Sequence, residues 1–293
     1  MSDNPFKAST KKQPKKLFSD DDIVRWIKAS RNPKKSDICA MFVGHPKTGK
    51  TGCALDCFTD EEKESGLKVI AIELNSDNGC ELNRKQYHQG ENIVVLNPRE
   101  YSQDESGDWQ PDYVRTMAKI KSLIQYIAHN TDDVGAIVFD GLDIFLSEIC
   151  ESQMRIDEHI DISGGVSQRY WKKRNDYYFK IVNMILDIDV DKYFITHFAV
   201  RRTDENGNFD DDRTVSKVDE RFVYACQKTT ADKMHQIVEL HDKTRIVNGK
   251  PQIELTATIV SDRRNLASHM QTITIAKSEG DEIVWNGRAI LKR

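Results

Sequence analysis

Ile38-Cys39-Ala40-Met41-Phe42-Val43 runs directly into Gly44-His45-Pro46-Lys47-Thr48-Gly49-Lys50-Thr51. A short apolar run bounded by glycine reads as a buried strand, and the glycine loop that follows has the spacing GxxxxGK[ST]. At average glycine usage the pattern arises by chance in a chain this long about once in a hundred. Its context adds to it, because strand, loop and helix start come in the order in which backbone N–H groups and a helix N-terminus can face phosphates. Residues 44–52, from Gly44 through His45, Pro46, Lys47, Thr48, Gly49, Lys50 and Thr51 to Gly52, are therefore the candidate cradle for the phosphates of ATP. In that chemistry the Lys50 ammonium neutralises the β- and γ-phosphates and the Thr51 hydroxyl ligates Mg²⁺. An ordinary glycine turn is the competing reading.

Working outward, a helix is expected from Lys50 to about Phe58. Further buried strands are expected at residues 67–74, 93–96, 136–139 and 193–196. Tyr113, Met117, Ile120, Ile124 and Ile127 recur at helical spacing, and a second long helix is expected over residues 170–186 with Tyr178, Val182 and Ile185 on one face. Strands alternating with helices predict an α/β fold, a mostly parallel sheet covered on both faces. Beyond His235 the pattern changes. Residues 238–247 and 252–260 flank Asn248-Gly249, a hairpin signal, and 272–275 with 283–285 suggest another antiparallel pair, so an antiparallel C-terminal extension of the sheet is expected. The expected organisation is an N-terminal basic arm (1–18), an ATPase core (19–235) and the β extension (236–293). The arm carries Lys7, Lys11, Lys12, Lys15 and Lys16. It reads as a solubilising tail or as a DNA-contacting arm, and Ser19 before three aspartates reads as a helix cap.

Two carboxylates fall where a phosphate site needs them. Mg²⁺ requires an acid at the end of a neighbouring strand, and Ala136-Ile137-Val138-Phe139 ends at Asp140. Water activation requires another. The residue after Asp140 is Gly141, so the expected base is Glu73, which closes Val69-Ile70-Ala71-Ile72 at the sheet's carboxyl edge. A solvated strand-end acid is the alternative for Glu73, and Asp143 reads as a helix cap.

With the glycine loop, the Glu-ending strand and the Asp-ending strand in this order, residues 37–200 resemble the RecA-like branch of P-loop ATPases. Within it they look most like the small single-domain RecA-like ATPases of phages and archaeal viruses, on Trp171 and Ile195-Thr196-His197. The resemblance implies a RecA-like core, and a γ-phosphate sensor at His197, which otherwise reads as a surface histidine. It also implies a following loop, 198–228, that meets single-stranded DNA. Here acids nearly balance bases in that loop, which favours a solvated segment. Arg263 and Arg264 are candidates for a cation inserted across a homo-oligomer interface, against two solvated arginines in a turn. The implied function is Mg²⁺-dependent ATP hydrolysis controlling assembly or action on DNA in recombination, replication or repair. A DNA motor and a nucleotide-dependent switch or scaffold are the rivals.

Composition limits the alternatives. A net charge of −4 argues against a strongly basic nucleic-acid binder without excluding a local patch. No apolar run approaches the roughly 20 residues that cross a bilayer, so no membrane partner is expected. The N-terminal residues lack a secretory h-region, so a cytoplasmic protein is expected, in the host cell if viral. Cys39, Cys53, Cys57, Cys80, Cys150 and Cys226 form no CxxC pair and read as reduced thiols, with Cys53 and Cys57 packing on one helix.

Overall fold

A computed structural model describes residues 37–84, 90–161, 164–203, 219–247, 249–279 and 282–291. The expected basic arm and the helix start at Ser19 lie outside the described residues. Along the chain come β1 (Cys39–Gly44), α1 (Lys50–Leu55), α2 (Asp60–Glu64), β2 (Lys68–Glu73), α3 (Gly79–Arg84) and β3 (Ile93–Leu96). A small ribbon of β4 (Tyr101–Gln103) and β5 (Trp109–Pro111) precedes α4 (Tyr113–His129) and β6 (Val134–Asp140). Next, α5 (Leu142–Ile144) passes through a π-helical stretch, Phe145–Cys150, into α6 (Glu151–Asp157). After α7 (Gln168–Leu186) the chain is dominated by strands: β7 (Asp191–Thr203), β8 (Asp219–Tyr224), β9 (Gln236–Asp242), β10 (Arg245–Val247), β11 (Lys250–Gln252), β12 (Glu254–Asp262), β13 (Thr272–Glu279) and β14 (Glu282–Trp285).

The main sheet has the order β14-β13-β12-β9-β1-β7-β6-β2-β3, with β8 paired to β7 outside this path. From β9 to β3 every pairing is parallel, while β12, β13 and β14 join antiparallel. This is the α/β class expected of a RecA-like core, with the antiparallel C-terminal extension on one edge. Strands covered on both faces must bury consecutive side chains, which explains the unbroken apolar runs. In β1, Ala40 and Phe42 pack with Cys53, Ala54 and Leu55 of α1 on one face. Met41 and Val43 face Ile120 and Ile124 of α4 and Tyr178 and Val182 of α7 on the other. Period two in the strand and period 3.6 in the helices meet in these two layers.

Three local expectations are corrected. The helix after the loop stops at Leu55 rather than near Phe58, because Asp56 leaves helical geometry (φ −86°, ψ 51°) and its Oδ2 accepts a hydrogen bond from the Gly287 N–H at 2.8 Å. Cys57 therefore lies beyond that helix, although it stays buried in the same layer as Cys53. The last core strand runs far past Thr196, to Thr203, because its outer half pairs with β8 as an antiparallel ribbon; the start of the expected loop is thus a strand, and 204–218 lie outside the described residues. Finally, β9 is a parallel core strand beside β1. The turn at Gly249 closes only the short β10–β11 ribbon, and antiparallel pairing within the main sheet begins at β12.

The six cysteines are free thiols. Among the described residues no helix is long and apolar enough to cross a membrane.

Candidate nucleotide site

The carboxyl edge of the parallel strands gathers the predicted residues. Gly44, the last residue of β1, is paired in register with His197 of β7 on one side and with Leu240 of β9 on the other. On the far side of β7, Glu73 of β2 is opposite Asp140 of β6. Loop, base, metal ligand and sensor candidates thus share one edge.

The loop folds inward on itself. His45 offers its carbonyl oxygen to two donors, the Thr48 hydroxyl at 2.9 Å and the Lys50 ammonium at 2.7 Å. Gly49 precedes α1 with φ 83°, in the left-handed region that glycine enters freely. A Cβ there would also fall 2.7 Å from Leu255 Cδ1, so the backbone approaches its neighbours more closely than any side chain permits. Lys50 is only 6% exposed, and burial pulls its ammonium down to about 8 against the opposing pull of Asp140. That ammonium is a charge in need of an anion.

Asp140 is held from three sides. The Thr51 hydroxyl donates to Oδ2 at 2.7 Å, the Asn75 amide donates to Oδ1 at 2.9 Å, and the Cys80 thiol reaches Oδ2 at 3.5 Å. Burial raises the Asp140 carboxyl, while the Thr51 and Cys80 hydrogen bonds and Lys50 oppose it. Thr51 and Asp140 thereby place a hydroxyl and a carboxylate together, the oxygen donor set that Mg²⁺ uses when most of its other ligands are water and phosphate. With the glycine cradle and the buried cation, the residues fit a magnesium–nucleotide pair.

Glu73 is buried at 1% exposure, and its Oε1 accepts from the Cys80 N–H at 2.7 Å. Burial pushes its carboxyl up to about 7; the Cys80 hydrogen bond opposes this and Asp140 adds to it. A carboxyl that loses its proton near neutrality suits a general base. Gly141 sits at φ 107°, where a glutamate directly after Asp140 would be strained.

Asp143 is not a cap. It lies in the first turn of α5 without a capping bond, and its Oδ2 meets His197 Nδ1 at 2.9 Å. The neighbouring rings of His45 and Phe198 are 5.3 Å apart, and Phe198 in turn lies 6.2 Å from Tyr224 of β8. Arg263 and Arg264 belong to the opposite edge: they follow Asp262, which pairs with Gln236 at the start of β9, and the Arg263 N–H bonds the His235 carbonyl oxygen. On this chain they lie at the end of β9 away from Gly44 and do not join the loop. Trp171 is partly exposed on α7, with the Arg174 guanidinium 5.7 Å from its ring centre.

Sequence reading missed Asn75, Cys80 and Asp143 as site residues. Asn75 follows Glu73 by two positions, but a polar residue after a strand is common and carries no signal of its own. Their roles come from tertiary contact.

No protein-family model matches the chain, and no curated protein matches it. Among solved structures, a KaiC-like protein from the hyperthermophilic archaeon Pyrococcus horikoshii OT3 aligns over 84% of this chain and 88% of its own, at 13% identity and a TM-score of 0.43. The fold class rests on the strand order and pairing described above.

Proposed function

We propose that this chain binds ATP with Mg²⁺ and hydrolyses it, and that the turnover controls assembly or action on DNA. One observation carries the ATPase reading: a buried lysine in a glycine loop, a hydroxyl–carboxylate pair and a second carboxyl titrating near neutrality share one sheet edge, with Glu73 and Asp140 in register. Lys50 and the N–H groups opening α1 bind the phosphates. Thr51 and Asp140 hold the metal, with Asn75 fixing the carboxylate's orientation. Bound Mg²⁺ supplies charge neutralisation on the phosphate oxygens. Glu73 has Oε1 committed to the Cys80 N–H, so Oε2 is the atom that takes the proton from water as its oxygen bonds phosphorus and the bond to the β-phosphate oxygen breaks.

The DNA reading is supported by the resemblance to RecA-like ATPases and by the path of β7, which continues past His197 into the β7–β8 ribbon. A γ-phosphate contact at His197 would act on that ribbon. Phosphate release measured without DNA, with single strands and with duplex separates the readings. Single-strand stimulation is expected; stimulation by duplex alone indicates a motor, and tight ATP binding without turnover indicates a switch. Turnover indifferent to any DNA would sink the DNA part.

A further inference from the structure

The C-terminal strands bring a second feature to the loop. Gly44 is opposite Leu240 of β9, and two residues further along β9 the register runs outward from Asp242 through Leu255 and Ala276 to Trp285. This carries β14 back to the phosphate loop: the Trp285 ring atom Cη2 lies 3.4 Å from where a Gly49 Cβ would stand. The following residues pack on α1, since a Cβ at Gly287 would meet the Cys53 carbonyl oxygen at 2.9 Å. Trp285 is therefore tied to the loop's own scaffold.

Beside Trp285 is a cavity of about 720 Å³, lined also by Lys243, Arg245, Glu254, Lys277 and Asn286. The sheet order puts it on the side of β1 away from β6, and Trp285 is the lining residue that reaches the loop at Gly49. Its size is that of sites taking compact organic ligands. Its lining combines an aromatic ring with three cations, a carboxylate and the amides of Gln252 and Asn286, groups that suit a flat, hydrogen-bonding ring attached to an anionic tail.

We propose that this cavity takes the base and ribose of the nucleotide whose phosphates the loop binds, with Trp285 the ring on which the base rests. The inference depends on the ATP reading, because the loop limits where the other half of the ligand can lie. One side is occupied by Glu73, Asn75 and Asp140, which serve metal and water. The other offers Trp285 and the cavity.

Calorimetry with Mg²⁺, comparing ATP with inorganic tripolyphosphate, tests this separately from the loop assignment. Trp285→Ala should weaken ATP binding about tenfold or more, the range expected for loss of one base–aromatic stack, and weaken tripolyphosphate binding by far less. Trp285→Phe should recover most of the loss. Unchanged ATP affinity in Trp285→Ala, or equal loss of both ligands, overturns the proposal. Should that variant fail to fold, amine labelling of the wild-type chain decides: ATP should protect Lys243 and Lys277 where tripolyphosphate does not. Equal labelling of both lysines with either ligand overturns it. If neither ATP nor tripolyphosphate binds, the loop reading has failed instead.

Discussion

The Thr51 hydroxyl donates to Asp140 Oδ2 at 2.7 Å, although β1, which leads into the helix of Thr51, and β6, which ends at Asp140, are separated in the sheet by β7. This bond ties the first turn of the phosphate-loop helix to the end of β6. Asn75 holds the other carboxylate oxygen, so Asp140 is oriented from both sides. Asn75→Ala should leave nucleotide binding without metal intact and lower Mg²⁺ affinity by about 10–100-fold, the usual effect of losing a group that orients a ligand. The Mg²⁺ concentration giving half-maximal enhancement of nucleotide binding measures it; an unchanged midpoint contradicts the role.

Glu73 predicts a pH-dependent stability change. Its folded-state carboxyl is raised from 4.5 to about 7, so the unfolded chain binds fewer protons between those values and stability falls as pH rises through that window. Glu73→Gln keeps an acceptor for Cys80 and removes the penalty. It should stabilise the protein at pH 8 by on the order of 1–3 kcal/mol and have little effect at pH 4, read from denaturant midpoints at the two pH values.

Lys50 gives the opposite pH direction. With its ammonium lowered from 10.5 to about 8, the unfolded chain binds more protons between those values, and stability rises with pH across them. Lys50→Met should therefore be more stable than wild type at pH 7, with the advantage shrinking by pH 10, while phosphate binding is lost. Thermal unfolding with and without ATP shows both effects at once: a higher midpoint and no ligand-induced shift.

The parts of this arrangement that were legible in sequence are those whose signal is local. β1 and β6 are continuous apolar runs because both faces are covered, and the glycine loop carries a fixed local spacing. Glu73 and Asp140 could be placed because each ends such a run. The outer half of β7 was not legible: Arg201, Arg202 and Thr203 carry no apolar run or alternation in the sequence, and they are strand through their pairing with β8. The Asn248-Gly249 signal points to a hairpin between β9 and β12, whereas the strands beside Gly249 are the short β10–β11 ribbon, and Ile237, Val238 and Leu240 are buried as a core strand requires. Asn75 and Asp143 depend on contacts spanning many residues, which no local pattern records.

Asp143 tests the sensor role proposed for His197. Its Oδ2 bond to Nδ1 fixes the His197 ring, so Asp143→Ala should lower ATP turnover about tenfold with less than about a twofold change in KM. A rise in KM without loss of turnover would place His197 in ground-state binding instead.

The most direct test of the central claim is phosphate release from Mg²⁺–ATP by the wild-type chain and by Glu73→Gln, with ATP binding measured on the same samples. The wild type should turn over. Glu73→Gln should bind ATP with unchanged affinity and lose turnover by about 10²–10⁴-fold, the range for removing a general base. Full turnover by Glu73→Gln would contradict the assignment of the base, and a wild-type chain that neither binds nor hydrolyses ATP would contradict the account as a whole.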